Sequence, residues 1–443
     1  MESGHKIYKE VLDQLRSNPE RLIRSLPKEL ILKLLKYTKR KQYLTCGFEQ
    51  TFLTNPDGKI FCFGSNTVGQ LGIGSDFSYK NSIIKNNFLE KQEVISISTS
   101  GSSTFFVTKT GEVFNSGISL NKPFSIIMLP IPAKMDSLQN ERIISTSAGD
   151  MHAIFLSDQG AVFSYGSNDY LQAGQDNTDK TDWIESPTKI KALNGKKISF
   201  VACSSKYSIF LDNNGAVFFC GLVGATHKLG TKPTTPILLL SLQNEKIIFA
   251  STGSLSDHTI LLNNKGESFC FGNNENGQLG TQDKEDRVIP IKIEALSNEK
   301  IVFASTSRGS SILINDKGEL IVFGDPYIKY INFKNRQNTV VIAKYQFGYK
   351  IKLLDNRKFV QVACAEQYSV LLDEIGRIFI WGKEIPILAS IRNSLPAYKK
   401  PLFEPTLVPN FNLFAREKKQ RGGGVDYFSK YWKYKNKYMS LRM

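Results

Sequence analysis

The chain has 443 residues, 41% apolar and 11% aromatic, and its 57 Lys and Arg against 41 Asp and Glu leave a net charge of +16. That composition is ordinary for a folded protein and argues against gross disorder; no apolar run approaches the roughly 20 residues that a membrane-spanning helix needs. The charge is uneven. Residues 1–41 carry +6 and residues 416–443 carry +7, which leaves only +3 for the long middle. The middle therefore makes a poor broad platform for nucleic acid, and electrostatic interest moves to the two ends.

In chain order, residues 8–15 and 22–37 read as helices. Ser25 can cap the second, and Pro27 sits in its first turn, where a missing N–H costs nothing. Leu30, Ile31, Leu34 and Leu35 form an apolar face, with Lys28, Lys33, Lys36 and Lys39 around it. The string LPKELILKLLKY, with Leu26, Pro27, Leu30 and Leu34 as contact residues, resembles the opening of an F-box, whose helices dock a ubiquitin-ligase adaptor. A pair of helices that packs under the following domain is the competing reading.

From residue 42 to 415 one signature recurs seven times: a small-residue stretch, an apolar run, a polar turn ending in Gly, then a short apolar run closed by Gly. The first copy reads TCGFEQTFLTNPDGKIFCFG. The closing glycines are Gly64, Gly117, Gly166, Gly221, Gly272, Gly324 and Gly382, spaced by 49–58 residues. The turn glycines are Gly58, Gly111, Gly160, Gly215, Gly266, Gly318 and Gly376. Two apolar runs joined by Asn, Asp and Gly form a β-hairpin. A further strand is expected after Pro at residues 186–193, 235–242, 289–296 and 404–411. Four antiparallel strands in a repeat of this length describe a propeller blade.

The runs GSNTVGQLGIG after the first hairpin and GNNENGQLGTQ in the fifth repeat resemble the blade signature of the regulator-of-chromosome-condensation repeat family. The resemblance implies an all-β, seven-bladed propeller of four-stranded antiparallel blades, here with a short N-terminal helical segment (1–41) and a basic C-terminal tail (416–443). Repeat three departs from the signature with LQAG and repeat four with HKLG, while repeats two, six and seven lack this turn. If structural blades are offset from the repeats by one strand, residues 404–408 would complete the first blade beside Leu44 and hide two edges.

Chemistry is sparse. The sequence contains no phosphate-binding Gly-x-x-x-x-Gly-Lys-Ser/Thr loop, no His-Glu-x-x-His and no pair of Cys-x-x-Cys motifs. No catalytic, cofactor or metal residue is nominated. Cys46, Cys203 and Cys364 share one repeat position and Cys62 and Cys270 another, with Cys220 one place beyond; such cysteines act as small buried apolar residues. His152 and His258 also match in position, and a hydrogen bond tying adjacent strands is expected of them. Without a signal-like start or a glycosylation sequon, the expected location is intracellular: cytoplasm, nucleus or virion.

In repeat six, residues 325–338 break the pattern and mix Tyr327, Tyr330, Phe333 and Arg336, residue types that interfaces favour. After the three glycines 422–424, Tyr427, Tyr431, Tyr434 and Tyr438 fall on one helical stripe, beside Trp432, Lys433, Lys435 and Lys437. Aromatic faces stack on bases and lysines neutralise phosphates, so the tail could contact nucleic acid; the same pattern serves a helix that docks on protein, or a solvated tail. The tail also resembles a glycine-preceded terminal tag of large nucleocytoplasmic DNA virus proteins.

The leading expectation is a monomeric, non-enzymatic scaffold for protein partners, since repeated blades hold irregular loops rigidly on two rims. The family resemblance adds a second expectation, guanine-nucleotide exchange on a small GTPase. The F-box-like start adds a third, a ubiquitin-ligase substrate adaptor.

Overall fold

Each repeat supplies strands apolar on both faces, which are buried only if every sheet stacks between two others. A computed structural model describes residues 43–55, 58–122, 127–175, 182–223, 235–253, 256–324, 339–346, 348–353, 357–382 and 402–413. The helices expected before residue 42 and the tail after 415 lie outside them.

Seven antiparallel sheets follow in chain order. Blade 1 holds β1 (Leu44–Cys46), β2 (Gln50–Thr54), β3 (Ile60–Gly64) and β4 (Lys80–Asn86). Blade 2 holds β5 (Val94–Thr99), β6 (Ser103–Thr108), β7 (Val113–Ile118) and β8 (Met128–Lys134). Blade 3 is β9 (Ile143–Ala148), β10 (His152–Ser157), β11 (Val162–Ser167) and β12 (Trp183–Lys189). Blade 4 is β13 (Ile198–Cys203), β14 (Tyr207–Asp212), β15 (Val217–Gly221) and β16 (Ile237–Leu238). Blade 5 is β17 (Ile247–Ser251), β18 (His258–Asn263), β19 (Ser268–Gly272) and β20 (Arg287–Lys292). Blade 6 has β21 (Ile301–Ser307), β22 (Ser310–Asn315), β23 (Leu320–Gly324), β24 (Thr339–Tyr345) and β25 (Gly348–Leu353). Blade 7 has β26 (Phe359–Cys364), β27 (Tyr368–Asp373), β28 (Arg377–Gly382) and β29 (Leu402–Asn412).

The cores lie between blades. Ile209, Leu211 and Phe219 of blade 4 meet Leu261 and Phe271 of blade 5 in one cluster. Each such side chain, taken from water, contributes roughly 1.5–3 kcal/mol. First strands of adjacent blades face one another around the axis, while the outermost strands carry the exposed Met128, Ile131, Ile237, Ile289 and Leu407. The closing glycines are dictated by sterics. At Gly272 φ is +107°, and a Cβ would collide with the Asp257 carbonyl oxygen at the start of the neighbouring strand.

Three expectations need correction. Residues 404–408 do not complete blade 1: β29 pairs with β28 of blade 7, Phe379 opposite Leu407 and Ile380 opposite Thr406. The ring closes through side chains instead. Tyr43, Leu44, Leu53 and Phe63 share a core with Tyr368, Val370, Ile380, Val408 and Leu413, and Phe61 meets Phe411 edge-on at 5.3 Å.

The post-proline strands also end early. Residues 191–193, 240–242 and 294–296 turn into short 3-10 segments, each burying one leucine (Leu193, Leu242, Leu296) under the next blade. Blade 6, finally, has five strands. β25 fills the fourth place, and β24 pairs outside it as an added edge. Lys350 on β25 reaches Glu319, just past its own blade's turn glycine, at 3.0 Å, as Lys292 on β20 reaches Glu267 at 2.7 Å in blade 5, so β25 is the true equivalent.

Candidate functional site

Antiparallel order sends every loop between first and second strands to one rim and every hairpin turn to the other. On the first rim, the residue opening each second strand is Gln50, Ser103, His152, Tyr207, His258, Ser310 or Tyr368. Five of the seven reach into the next blade. His152 Nε2 lies 2.8 Å from Ser208 Oγ, and His258 Nε2 lies 2.8 Å from Ser311 Oγ. Tyr207 Oη meets Thr259 Oγ1 at 2.7 Å, Gln50 Nε2 donates to Thr99 Oγ1 at 2.7 Å, and Tyr368 Oη meets Thr51 Oγ1 at 2.9 Å across the seam. The histidines thus tie blades together rather than strands of one blade. Burial pulls both down to about 3, so they stay neutral at any physiological pH.

Four of these partners, Ser208, Ser311, Thr259 and Thr51, come one residue after the bridging position of their own blade, a regularity present in the repeat; Thr99 instead ends the first strand of blade 2. They have a second role. Ser208 Oγ donates to the Gln172 carbonyl and Ser311 Oγ to the Gln278 carbonyl, both at 2.8 Å, as Thr104 Oγ1 does to Gln70. These carbonyls belong to the Gly-Gln-Leu-Gly turns and to their departure in blade 3. That departure is only apparent. Leu171 takes φ +64° where the other turns have glycine, Gln172 Oε1 accepts the Tyr170 N–H at 2.8 Å, and Asn168 Oδ1 accepts the Ala173 N–H at 3.1 Å. Gln278 and Asn274 do the same in blade 5.

The mouth of the axis on this rim is acidic. Its loops carry Glu49, Asp150, Asp257 and Glu366 against Lys206 and Arg308. Arg308 pairs with Glu366 at 3.2 Å, and Asp257 accepts from Ser205 at 2.7 Å with Lys206 at 3.9 Å. Asp150 has no hydrogen bond or ion pair among the described residues. Burial, and then the charge of Asp257, raise it above the usual carboxylate range. Beside it Met151 is 44% exposed. A cavity of about 20 Å³, room for one water, opens between Gly253, Thr306, Arg308 and Glu366. Thr306 Oγ1, buried there, has no hydrogen-bond partner among the described residues.

The thiols are inert by environment. All six cysteines are free, and burial raises Cys62, Cys203 and Cys270 to about 12 and Cys364 to about 11. Among the described residues no cluster of His, Cys, Asp and Glu could hold a metal, and no helix is long and apolar enough to cross a membrane. The contact residues proposed from sequence (Leu26, Pro27, Leu30, Leu34; Tyr327, Tyr330, Phe333, Arg336) and the tail aromatics and lysines all lie outside the described residues. The two sets of glycines fall into place, with positive φ at all fourteen positions.

Comparison with known proteins agrees with this geometry. The family model of the RCC1-like domain matches residues 59–385. The chain is 27% identical over 337 residues to the ultraviolet-B receptor UVR8 of Arabidopsis thaliana, covering 74% of this chain and 73% of that one. It is 26% identical over 339 residues to the E3 ubiquitin-protein ligase HERC2 of Mus musculus, covering 73% of this chain but 7% of that one. Among solved structures it resembles human WBSCR16, with a TM-score of 0.63 and 20% identity over 79% of this chain and 93% of that one. It also resembles Prp20p of Saccharomyces cerevisiae, whose structure was described with its binding to Gsp1p and histones: TM-score 0.61, 17% identity, 74% of this chain and 81% of that one.

Proposed function

The chain belongs to the RCC1-like domain family, and from that premise we propose that it is a non-enzymatic scaffold whose protein partner docks on the acidic mouth of the first rim. One observation carries this reading: Asp150 is held partly desolvated, with no hydrogen bond or ion pair among the described residues, within reach of the charge of a second carboxylate, Asp257. An arrangement that disfavours its own charge gains most from an incoming cation, so a basic or amide-rich protein surface fits it. The loops around it are pinned by blade-to-blade hydrogen bonds, which keeps the surface preorganised and reduces the entropy lost on docking. The two described imidazoles, His152 and His258, are neutral and engaged in this framework, and burial keeps the thiol of Cys203 protonated.

The test places a photoreactive residue at Met151, on this mouth, or at Ile289, on the outer circumference, and crosslinks in extract of the native source. Capture of one protein at Met151, absent at Ile289 and lost in D150K with unchanged melting, is the expected result. Equal labelling at both sites, or capture indifferent to D150K, would refute the reading. Adding labelled GDP and candidate small GTPases to the same preparations tests the exchange-factor alternative: a pure scaffold leaves the release rate at its intrinsic value.

A further inference from the structure

The hairpin rim, opposite the acidic mouth, has its own charge pattern. The residue just before each first strand is Glu93, Arg142, Lys197, Lys246, Lys300 or Lys358 in blades 2 to 7. Its backbone carbonyl is fixed by the turn of its own blade: Asn264 N–H to Lys246, Asp316 N–H to Lys300 and Glu374 N–H to Lys358, at 2.8–3.0 Å. Its side chain lies across the turn glycine of the preceding blade, Lys246 over Gly215, Lys300 over Gly266 and Lys358 over Gly318.

The two halves of this rim differ. In blades 2 and 3 the position is neutralised, Glu93 with Lys109 and Arg142 with Asp158. In blades 4 to 7, Lys197, Lys246, Lys300 and Lys358 are exposed and make no salt bridge among the described residues. Lys265 and Lys317, in the turns beside Gly266 and Gly318, add to the same arc; the acidic turn residues among them are Asp212, which accepts the Asn214 and Ala216 N–H groups, Asp373, which pairs with Arg377, and Asp316 and Glu374. The glutamates next door are engaged elsewhere. Glu245 accepts from Asn263 at 2.8 Å, and Glu299 accepts from Asn315 and Lys350 at 3.0 and 2.6 Å.

Three residues further along the same strands stand Phe200, Phe249 and Phe303, each half-buried, with ring centroids 5.6 and 5.3 Å apart. The equivalent places in blades 2, 3 and 7 hold Ser96, Ser145 and Gln361. The aromatic ladder thus coincides with the unpaired part of the lysine arc.

We propose that the lysine arc of blades 4 to 7, with the Phe200–Phe249–Phe303 ladder beside it, is a binding site for single-stranded nucleic acid. Lysines at one-blade intervals track a phosphate backbone, and aromatic rings are sequence-tolerant partners for unstacked bases. A duplex offers no free base faces to the ladder, and an acidic protein would need the lysines but not the rings.

The experiment measures anisotropy of a labelled oligothymidylate with the full chain across a salt series, for the wild type, the triple variant K246Q/K300Q/K358Q, F249L, and a tail variant K433Q/K435Q/K437Q. The triple variant is expected to bind about tenfold weaker or worse and to lower the salt slope by about 2, at roughly 0.7 per lost phosphate contact. F249L should narrow the preference for single strand over duplex while leaving the slope in place. Melting curves matching the wild type show that each variant is folded. If the triple variant keeps wild-type affinity and slope while the tail variant loses binding, the rim is not the site. Displacement of the oligonucleotide by polyglutamate as readily as by unlabelled DNA would overturn the assignment in favour of an acidic protein ligand.

Discussion

The seam between blades 7 and 1 and the interface between blades 5 and 6 use the same parts under different constraints. At the inner interface, His258 reaches Ser311 across 53 residues of chain; at the seam, Tyr368 reaches Thr51 across 317. The geometry is equivalent, yet only the seam lacks a covalent connection between its blades. Closure there rests on the Tyr43 N–H donating to Gln361 Oε1 at 2.9 Å, on the Cys46 thiol donating to the Ala363 carbonyl at 3.5 Å, and on the shared apolar cluster. Among the described residues no strand crosses from one blade to the other. A repeat array can therefore close by repeating its ordinary interface once more, and the last strand, β29, matters for what it packs against rather than for an edge it shares with blade 1.

The sharpest way to break this comparison is to end the chain after residue 401, which removes Val408, Phe411 and Leu413 from the seam core. Losing three such groups should cost on the order of 5 kcal/mol or more and lower the melting temperature steeply, whereas ending after residue 420 should barely move it. Calorimetry of the two truncations checks this, and equal small effects would show that the seam needs no C-terminal strand.

Acid comes next. His152 and His258 titrate at about 3 when folded but near 6.5 when unfolded, so stability is complete above pH 6.5 and declines from there toward pH 3. Each contributes a slope of about 1.4 kcal/mol per pH unit in that window. H152Q/H258Q should flatten the acid limb of a urea-midpoint profile below pH 6. An unchanged profile would mean that carboxylates alone set it. The seam, closed by a tyrosine, should add nothing to that slope.

The smallest effect is at the seam hydroxyls. Y368F should cost about 1 kcal/mol, and a double-mutant cycle with T51V should show coupling of similar size. The same cycle on Tyr207 and Thr259, an inner pair at 2.7 Å, should give a matching value if the seam is an ordinary interface.

Much of this was legible in the order of residues. Turn and closing glycines marked all seven blades because positive φ and backbone crowding leave few alternatives there, and matching positions of His152 and His258, and of Cys203 and Cys364, identified them as framework that the structure buries, whereas Cys46 at the seam is half-buried. The fourth and fifth strands of blade 6 left no such mark, because they follow an insertion, and local pattern cannot tell an added edge from an inner strand. Leu171 likewise hid an intact turn, because an αL leucine leaves no mark in sequence.

Composition placed the middle of the chain near neutrality and could go no further, because a sum over residues has no direction. Only the tertiary structure separates Asp150 and Asp257 on one rim from Lys246, Lys300 and Lys358 on the other. Sequence alone determined that the chain makes repeated β-hairpin units, since strand periodicity and glycine turns are local. The closing of the ring and the sorting of charge between rims were decided by packing, which brings together residues as far apart as Thr51 and Tyr368.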